Sequence, residues 1–344
     1  MGVVDDRRPV AVFGCPLYNH AEHVESAIGS LLSQTRRDFV VLLLDDGSDD
    51  ATAELAARIA ERDERVHFSA NPERLGLARS WRAVFEWARR DWPDARYFAW
   101  GSDHDLWEPA WLEELVAALE RHPDAVLAYP ITERMEADGT PHKLTGEFDT
   151  LALTDRGARV LEVQRRAPAG SLVYGLAVAE ALERSGGFRR VPEPDRMVLM
   201  ELALQGSFVQ VPEVLWHRRY VKVATRARQN AAIFLDSRAP ARYAPAWVVH
   251  ALVFARAYGL RGLWLAARVG FGGAARQLES RRRGARLPRK RLERRVQRSW
   301  RATKRRFRHY WRKYKKRVRL KVYTFGGRVL RRFGLLRDRQ QDVP

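Results

Sequence analysis

The first 130 residues alternate between two hydrophobic periods. Val10 to Phe13 form a short apolar run, and Val24, Ile28, Leu31 and Leu32 then recur at helical spacing. Phe39 to Leu44 is a continuous apolar run, the pattern of a strand buried on both faces. Leu55 and Ile59 mark one side of the helix that follows, and Val66 to Ser69 predict a third strand. Trp81, Val84, Phe85 and Ala88 mark the next helix, Tyr97 to Trp100 a fourth strand, and Leu112, Leu115, Val116 and Leu119 another helix. Ala125 to Pro130 close the series. This alternation predicts an α/β fold: a mostly parallel sheet flanked by helices, Rossmann-like, followed by C-terminal helices.

In open sheets of this kind ligands bind outside the carboxyl ends of the strands. The segments in that position are "CPLYN" after the first strand, "DDGSDD" after the second, "NPERLG" after the third and "GSDHD" after the fourth. All are polar or turn-forming, and they are expected to meet at one edge of the sheet. From about residue 146 to 220 the pattern weakens. A helix is predicted to open at Asp195, with Val198, Leu199 and Leu202 inward and Gly206 as its terminator. "VPEVLWHRRY" reads as a loop or short strand, and residues 227 to about 275 as helical.

Charge changes the picture at the C-terminal end. The 344 residues carry a net charge of +20. Residues 281–344 hold 27 Lys and Arg against 3 acidic residues, while the 280 before them hold 35 against 39. A near-neutral globular part is thus followed by a very basic tail, which asks for a polyanionic partner. Leu292, Val296, Trp300, Phe307, Trp311, Tyr314, Val318 and Val322 form an apolar stripe with helical gaps along that tail. A basic amphipathic helix with aromatic anchors suits an anionic membrane surface. Packing on the catalytic part is the alternative. Nucleic acid is not the expected partner, because no recognition fold accompanies the charge. The expected division is 1–225 catalytic domain, 226–280 helical and interfacial segment, and 281–344 basic helical tail.

The single Cys15 excludes an internal disulfide and fits a reducing compartment. The N-terminus has no apolar core of signal-peptide length, and the longest uncharged apolar-rich run, Tyr243 to Ala255, is too short to span a bilayer. The expected location is cytoplasmic, peripheral to the inner face of the membrane.

Several residues then read as chemistry. Asp103, His104 and Asp105 put two carboxylates within three residues beside a sheet edge, where they repel each other. A divalent cation removes that repulsion. Mg²⁺ takes oxygen ligands, and Mn²⁺ also accepts His104. His217 is either an ordinary loop histidine or a further metal ligand. Asp45 and Asp46 are either a βα turn or acceptors for a nucleobase N–H, with Asn19 as a neighbouring contact. Asp195 is either a helix N-cap or a general base.

Together these stretches resemble family 2 glycosyltransferases with the type A nucleotide-sugar-binding fold, over roughly residues 9 to 220. The matching segments are "GCPLYNHAEHVESAIGSLLSQTRRDFVVLLLDDGSDDAT", "NPERLG", "FAWGSDHDLWEPAWLEELV", "VYGLAVAEALERSGGF" and "PDRMVLMELALQGSFVQVPEVLWHRR". The resemblance implies that Pro16, Tyr18, Asn19 and Asp45 or Asp46 hold the base and ribose, with Asn71, Gly76, Arg79 and Asp103 completing the nucleotide-sugar contacts. It implies Mg²⁺ or Mn²⁺ on the diphosphate, held by Asp103 and Asp105 with His104 and His217 as further candidates. It places Tyr174 and Gly175 beside the acceptor and makes Asp195 the catalytic base. The chain departs from the family pattern at His104, where the first of two adjacent aspartates usually stands, and at Val178, where an arginine is usual.

The implied reaction moves a sugar from a nucleoside-diphosphate sugar, a UDP-sugar first, to a hydroxyl of a glycan or lipid-linked acceptor, in cell-surface polysaccharide or glycolipid synthesis. In-line displacement with Asp195 as base inverts the anomeric centre. The competing readings are a nucleotidyltransferase acting on sugar phosphates, and a non-catalytic scaffold that binds nucleotide sugar or membrane.

Overall fold

The computed structural model describes residues 9–136, 140–219, 245–258, 262 and 264–270. The chain divides into two units, Met1–Gln277 and Leu278–Pro344, and every described residue lies in the first. The predicted apolar stripe of the basic tail therefore lies outside the described residues, as do residues 220–244.

The first half of the chain folds as its periodicity predicts. Strands β1 (Ala11–Leu17), β2 (Phe39–Asp45), β3 (Val66–Ala70) and β4 (Tyr97–Trp100) are parallel, in the order β3-β2-β1-β4. Every residue of β2 is buried, which accounts for its unbroken apolar run. The pleat sends alternate residues to two cores. Val12, Val40, Leu42, Phe98 and Trp100 face one, with Val84 of α3 (Leu77–Asp91). Phe13, Cys15, Val41, Leu43 and Ala99 face the other, with Ile28 of α1 (Val24–Leu32), Ala56 of α2 (Thr52–Arg62) and Leu112 of α4 (Trp111–Arg121). Helices thus cover both faces. Burial holds the Cys15 thiol well above its ordinary pKa, so it is inert packing.

The second half of the sheet is mixed. A two-residue strand, β5 (Leu106–Trp107), follows the acidic segment. The strand expected at Ala125 to Pro130 runs on to Met135 as β6, with a register shift after Pro130. It pairs with the short β7 (Pro141–Leu144). α5 (Arg156–Arg166) and α6 (Ala169–Leu172) lead to β8 (Leu176–Val178), which enters the sheet antiparallel between β4 and β6. α7 (Ala179–Arg184) follows β8. The segment expected as a loop or short strand is a 13-residue strand, β9 (Ser207–Arg219), parallel to β6 and antiparallel to β5. It alternates poorly because several of its positions are covered from both sides. Met197, Val198, Leu199 and Met200 of α8 (Pro194–Gln205) are fully buried. Within the predicted C-terminal helical stretch, α9 (Ala246–Ala257) is described. No helix among the described residues is long and apolar enough to cross a membrane.

Candidate functional site

Strand direction decides what reaches the rim. The carboxyl ends of β1, β2 and β4 lie side by side, with Leu17 level with Asp45 and Gly14 level with Trp100. Because β8 runs antiparallel to β4, its start comes to the same rim and brings Tyr174 and Gly175. Because β9 runs parallel to β6, its end delivers Arg218 and Arg219 there.

Asp103 stands at the centre and is 5% exposed. Its Oδ2 accepts the Tyr18 N–H at 3.0 Å. Its Oδ1 stands 2.7 Å from His104 Nδ1 and 2.9 Å from His20 Nδ1. The two imidazole rings are 4.5 Å apart. Burial works to raise the carboxyl pKa, but the contacts with His104 and His20 outweigh it and hold Asp103 well below the usual carboxylate range. Burial likewise opposes protonation of His104. The bond to Asp103 and the charges of Asp105 and Asp103 prevail, and His104 lies above its ordinary pKa. Gly101, two residues before Asp103, has no room for a Cβ: one there would collide with Cys15 Sγ.

Asp105 is 1% exposed. Its Oδ1 accepts the Arg219 N–H at 2.8 Å and stands 3.8 Å from His104 Nε2. Burial raises its pKa. It faces His104 from behind.

Asp195 lies in the first turn of α8, after Pro194, and Glu193 takes the cap position. The N-cap role is therefore not its own. Burial raises its pKa against the pull of the Arg196 N–H and of the Arg196 and Arg218 charges. A desolvated carboxylate of this kind is a better proton acceptor than one in water. Tyr174 joins the two ends of the site. Its phenol is held up by burial, and the charges of Arg218, Asp105, Asp103 and Asp195 all act on it. Its ring packs 4.8 Å from Trp216 and 5.2 Å from Trp81.

The remaining predicted residues are engaged with one another. Asp45 accepts the N–H groups of Gly47 and Ser48 at 3.0 Å each and the Ser48 hydroxyl at 2.5 Å, which organises its own turn. Asp46 accepts from Asn71 Nδ2 at 3.0 Å and from the N–H groups of Leu75 and Gly76 at 2.8 Å each. It ties the loop after β3 to the end of β2. Gly76 has φ +81, which a side chain would strain. Asn19, at φ 55, exchanges hydrogen bonds with Asp49. Pro16 lies within β1, level with Leu44. The Tyr18 ring lies under the Arg74 guanidinium at 3.7 Å. Arg79 is exposed in the first turn of α3.

His217 lies apart from the Asp103 group. Its Nδ1 stands 2.8 Å from Glu133 Oε2 and its Nε2 2.7 Å from Glu108 Oε1, so both ring nitrogens face glutamates. Strand alternation turns it away from the face that carries Arg218.

Two residues escaped the sequence reading. His20 directly follows "CPLYN" at the end of β1, so strand-end logic extended by one residue would have found it. Arg218 acts on His104, Asp105, Tyr174 and Asp195, and its Nη1 donates to Gly170 O at 2.7 Å. It was hidden because the segment reads only as a loop or short strand, whose direction and length the sequence does not give. Among the described residues, His20, Asp103 and His104 offer ligand atoms within 4.8 Å of one another. One ionised carboxylate and two imidazoles suit a divalent cation.

Residues 14–179 match the family model described as Glycosyl transferase family 2. The chain is 27% identical over 113 residues to an uncharacterized glycosyltransferase of Haemophilus influenzae, covering 33% of each chain. It is 27% identical over 135 residues to the putative teichuronic acid biosynthesis glycosyltransferase TuaG of Bacillus subtilis, covering 39% of this chain and 51% of that one. The chain thus spans a third to a half of the length of these relatives. Among solved structures it resembles S. aureus TarS 1-349 in complex with UDP-GlcNAc, with a TM-score of 0.57 and 13% identity over 79% of this chain and 73% of that one. That likeness is one of fold.

Proposed function

Residues 14–179 belong to glycosyl transferase family 2, and from that premise we propose that the protein is an inverting, metal-assisted glycosyltransferase. It takes a nucleoside-diphosphate sugar, a UDP-sugar first, and a hydroxyl of a glycan or lipid-linked acceptor in surface polysaccharide or glycolipid synthesis. TuaG is named for teichuronic acid biosynthesis, and the solved TarS complex holds UDP-GlcNAc. What supports the reading is that the charges of Asp103, held ionised, and of Asp195, whose pKa burial raises, both act on Tyr174.

The residues divide the work by charge. Asp103 and His104 would hold the cation, on the rim between β1 and β4. A divalent cation bound there supplies Lewis-acid stabilisation of the leaving diphosphate, worth several kcal/mol. Tyr18 and Arg74 form an aromatic and cationic wall beside it. Asp195 removes the acceptor proton as the acceptor oxygen bonds to the anomeric carbon and the bond to the diphosphate oxygen breaks. Attack opposite the leaving group inverts the centre, so no glycosyl-enzyme intermediate forms. The Arg218 charge favours the ionised forms of both Asp105 and Asp195 against burial.

We place the protein at the cytoplasmic face of a membrane, held by the basic residues of 281–344 at about 1 kcal/mol per cation near an anionic surface.

A thermal-shift panel of nucleotide sugars, with and without Mn²⁺ or Mg²⁺, tests donor binding. Product analysis then tests the reaction. Nucleoside diphosphate and an inverted glycoside are expected. Pyrophosphate would identify a nucleotidyltransferase, and binding without any turnover a scaffold.

A further inference from the structure

Asp103 turns one oxygen towards the two histidines. Oδ2 is taken by the Tyr18 N–H, and Oδ1 faces two imidazole nitrogens from different loops, at 2.7 and 2.9 Å. Adjacent ligands of a metal centre with bonds of about 2.1 Å stand about 3 Å apart. Both histidine nitrogens therefore stand at ligand spacing from Asp103 Oδ1, and the three residues offer ligand atoms within 4.8 Å of one another. His20 Nδ1 is buried yet makes no hydrogen bond of good geometry, although Oδ1 is so near.

We propose that His20, Asp103 and His104 form one cation site of two nitrogens and one oxygen, and that this site selects Mn²⁺ over Mg²⁺. Mg²⁺ demands oxygen ligands and keeps its waters, whereas imidazole suits transition cations. A single carboxylate leaves the bound ion a net positive charge and open positions for phosphate oxygens. Asp105 does not belong to the ligand set. Its Oδ1 is engaged by the Arg219 N–H and lies 3.8 Å from the far nitrogen of His104, where it acts on the ring through its charge alone. Oxygen-only coordination by Asp103 and Asp105 would leave the His20 ring, 2.9 Å from Asp103 Oδ1, outside the site. Use of the ion in sugar transfer rests on the reading above, but its binding does not.

The test uses the full chain freed of metal, titrated with Mn²⁺ alone and followed by electron paramagnetic resonance, with Mg²⁺ as competitor. One Mn²⁺ site is expected, with Mg²⁺ weaker by about tenfold or more and nitrogen modulation visible in the spin echo. His20→Ala should weaken Mn²⁺ binding about tenfold or more and reduce that modulation. His20→Asp should restore binding but shift preference towards Mg²⁺. Unfolding curves of both variants separate lost ligands from lost fold. Mn²⁺ bound without nitrogen modulation in the unaltered chain would overturn the proposal, as would equal Mg²⁺ affinity. So would a folded His20→Ala chain that binds Mn²⁺ unchanged. A nitrogen-ligated ion in a chain that releases no nucleoside diphosphate would sink the transfer reading and leave this site standing. Transfer without nitrogen on the ion would do the reverse.

Discussion

The Tyr18 N–H donates to Asp103 Oδ2 at 3.0 Å, across 85 residues of chain. The end of β1 thereby aims the carboxylate at the end of β4, leaving its other oxygen to the histidines. Asp103→Asn keeps an acceptor for Tyr18 and removes the charge. We expect kcat to fall roughly 10²-fold or more while the fold persists. The Asp103 pKa is depressed in the fold, so its stabilising contribution is present above the unfolded value of 3.8 and lost as pH falls towards the folded one. The stability gap between parent and variant should therefore close in acid, measured by denaturant unfolding across pH.

Asp195 carries the opposite shift. Burial raises its pKa, so the fold retains its proton more readily than the unfolded chain does, and stability from this residue falls as pH rises through the raised value. The base form is missing below that value, which puts an acid limb on the rate profile above pH 3.8. Asp195→Asn should lower kcat roughly 10² to 10⁴-fold, abolish that limb, and leave stability at neutral pH undiminished. A variant that unfolds readily would mean a structural role instead.

Asp46 organises a loop. Asp46→Ala leaves the Leu75 and Gly76 N–H groups and Asn71 Nδ2 without their acceptor, at a cost of about 3 kcal/mol. Hydrogen exchange at Leu75 and Gly76 should rise with it. Unchanged protection there would show that the loop holds by other means.

Arg189 tests stability away from the site. It pairs with fully buried Glu201 at 2.9 Å, and Tyr258 supplies the other polar contact at 3.3 Å. Arg189→Ala strands that carboxylate and should cost about 3 kcal/mol in chemical denaturation, with KM for donor unchanged.

Removal of residues 281–344 should abolish flotation with anionic liposomes and spare flotation-independent donor binding. Equal flotation of both chains would rule out the tail as the anchor.

The order of β1 to β4, their helices and the rim they share were legible because each is a local pattern: apolar period, then polar strand end. Asp103, His104 and Asp195 could be named from the sequence for the same reason. The acidity of Asp45 and Asp46 was also visible, but not that Asp45 is consumed by its own turn and Asp46 by the loop after β3, since a hydrogen-bond partner is a matter of folding. The later strands were decided in three dimensions. β8 is three residues long and β9 lacks a clean period, so nothing local reveals that one runs against β4 and the other along β6. Those directions put Tyr174 and Arg218 on the rim and turn His217 away from it. Sequence sets which side chains carry charge. Pairing between distant strands sets which of them share a space, because a strand chooses its neighbour through backbone bonds that its own residues do not spell out.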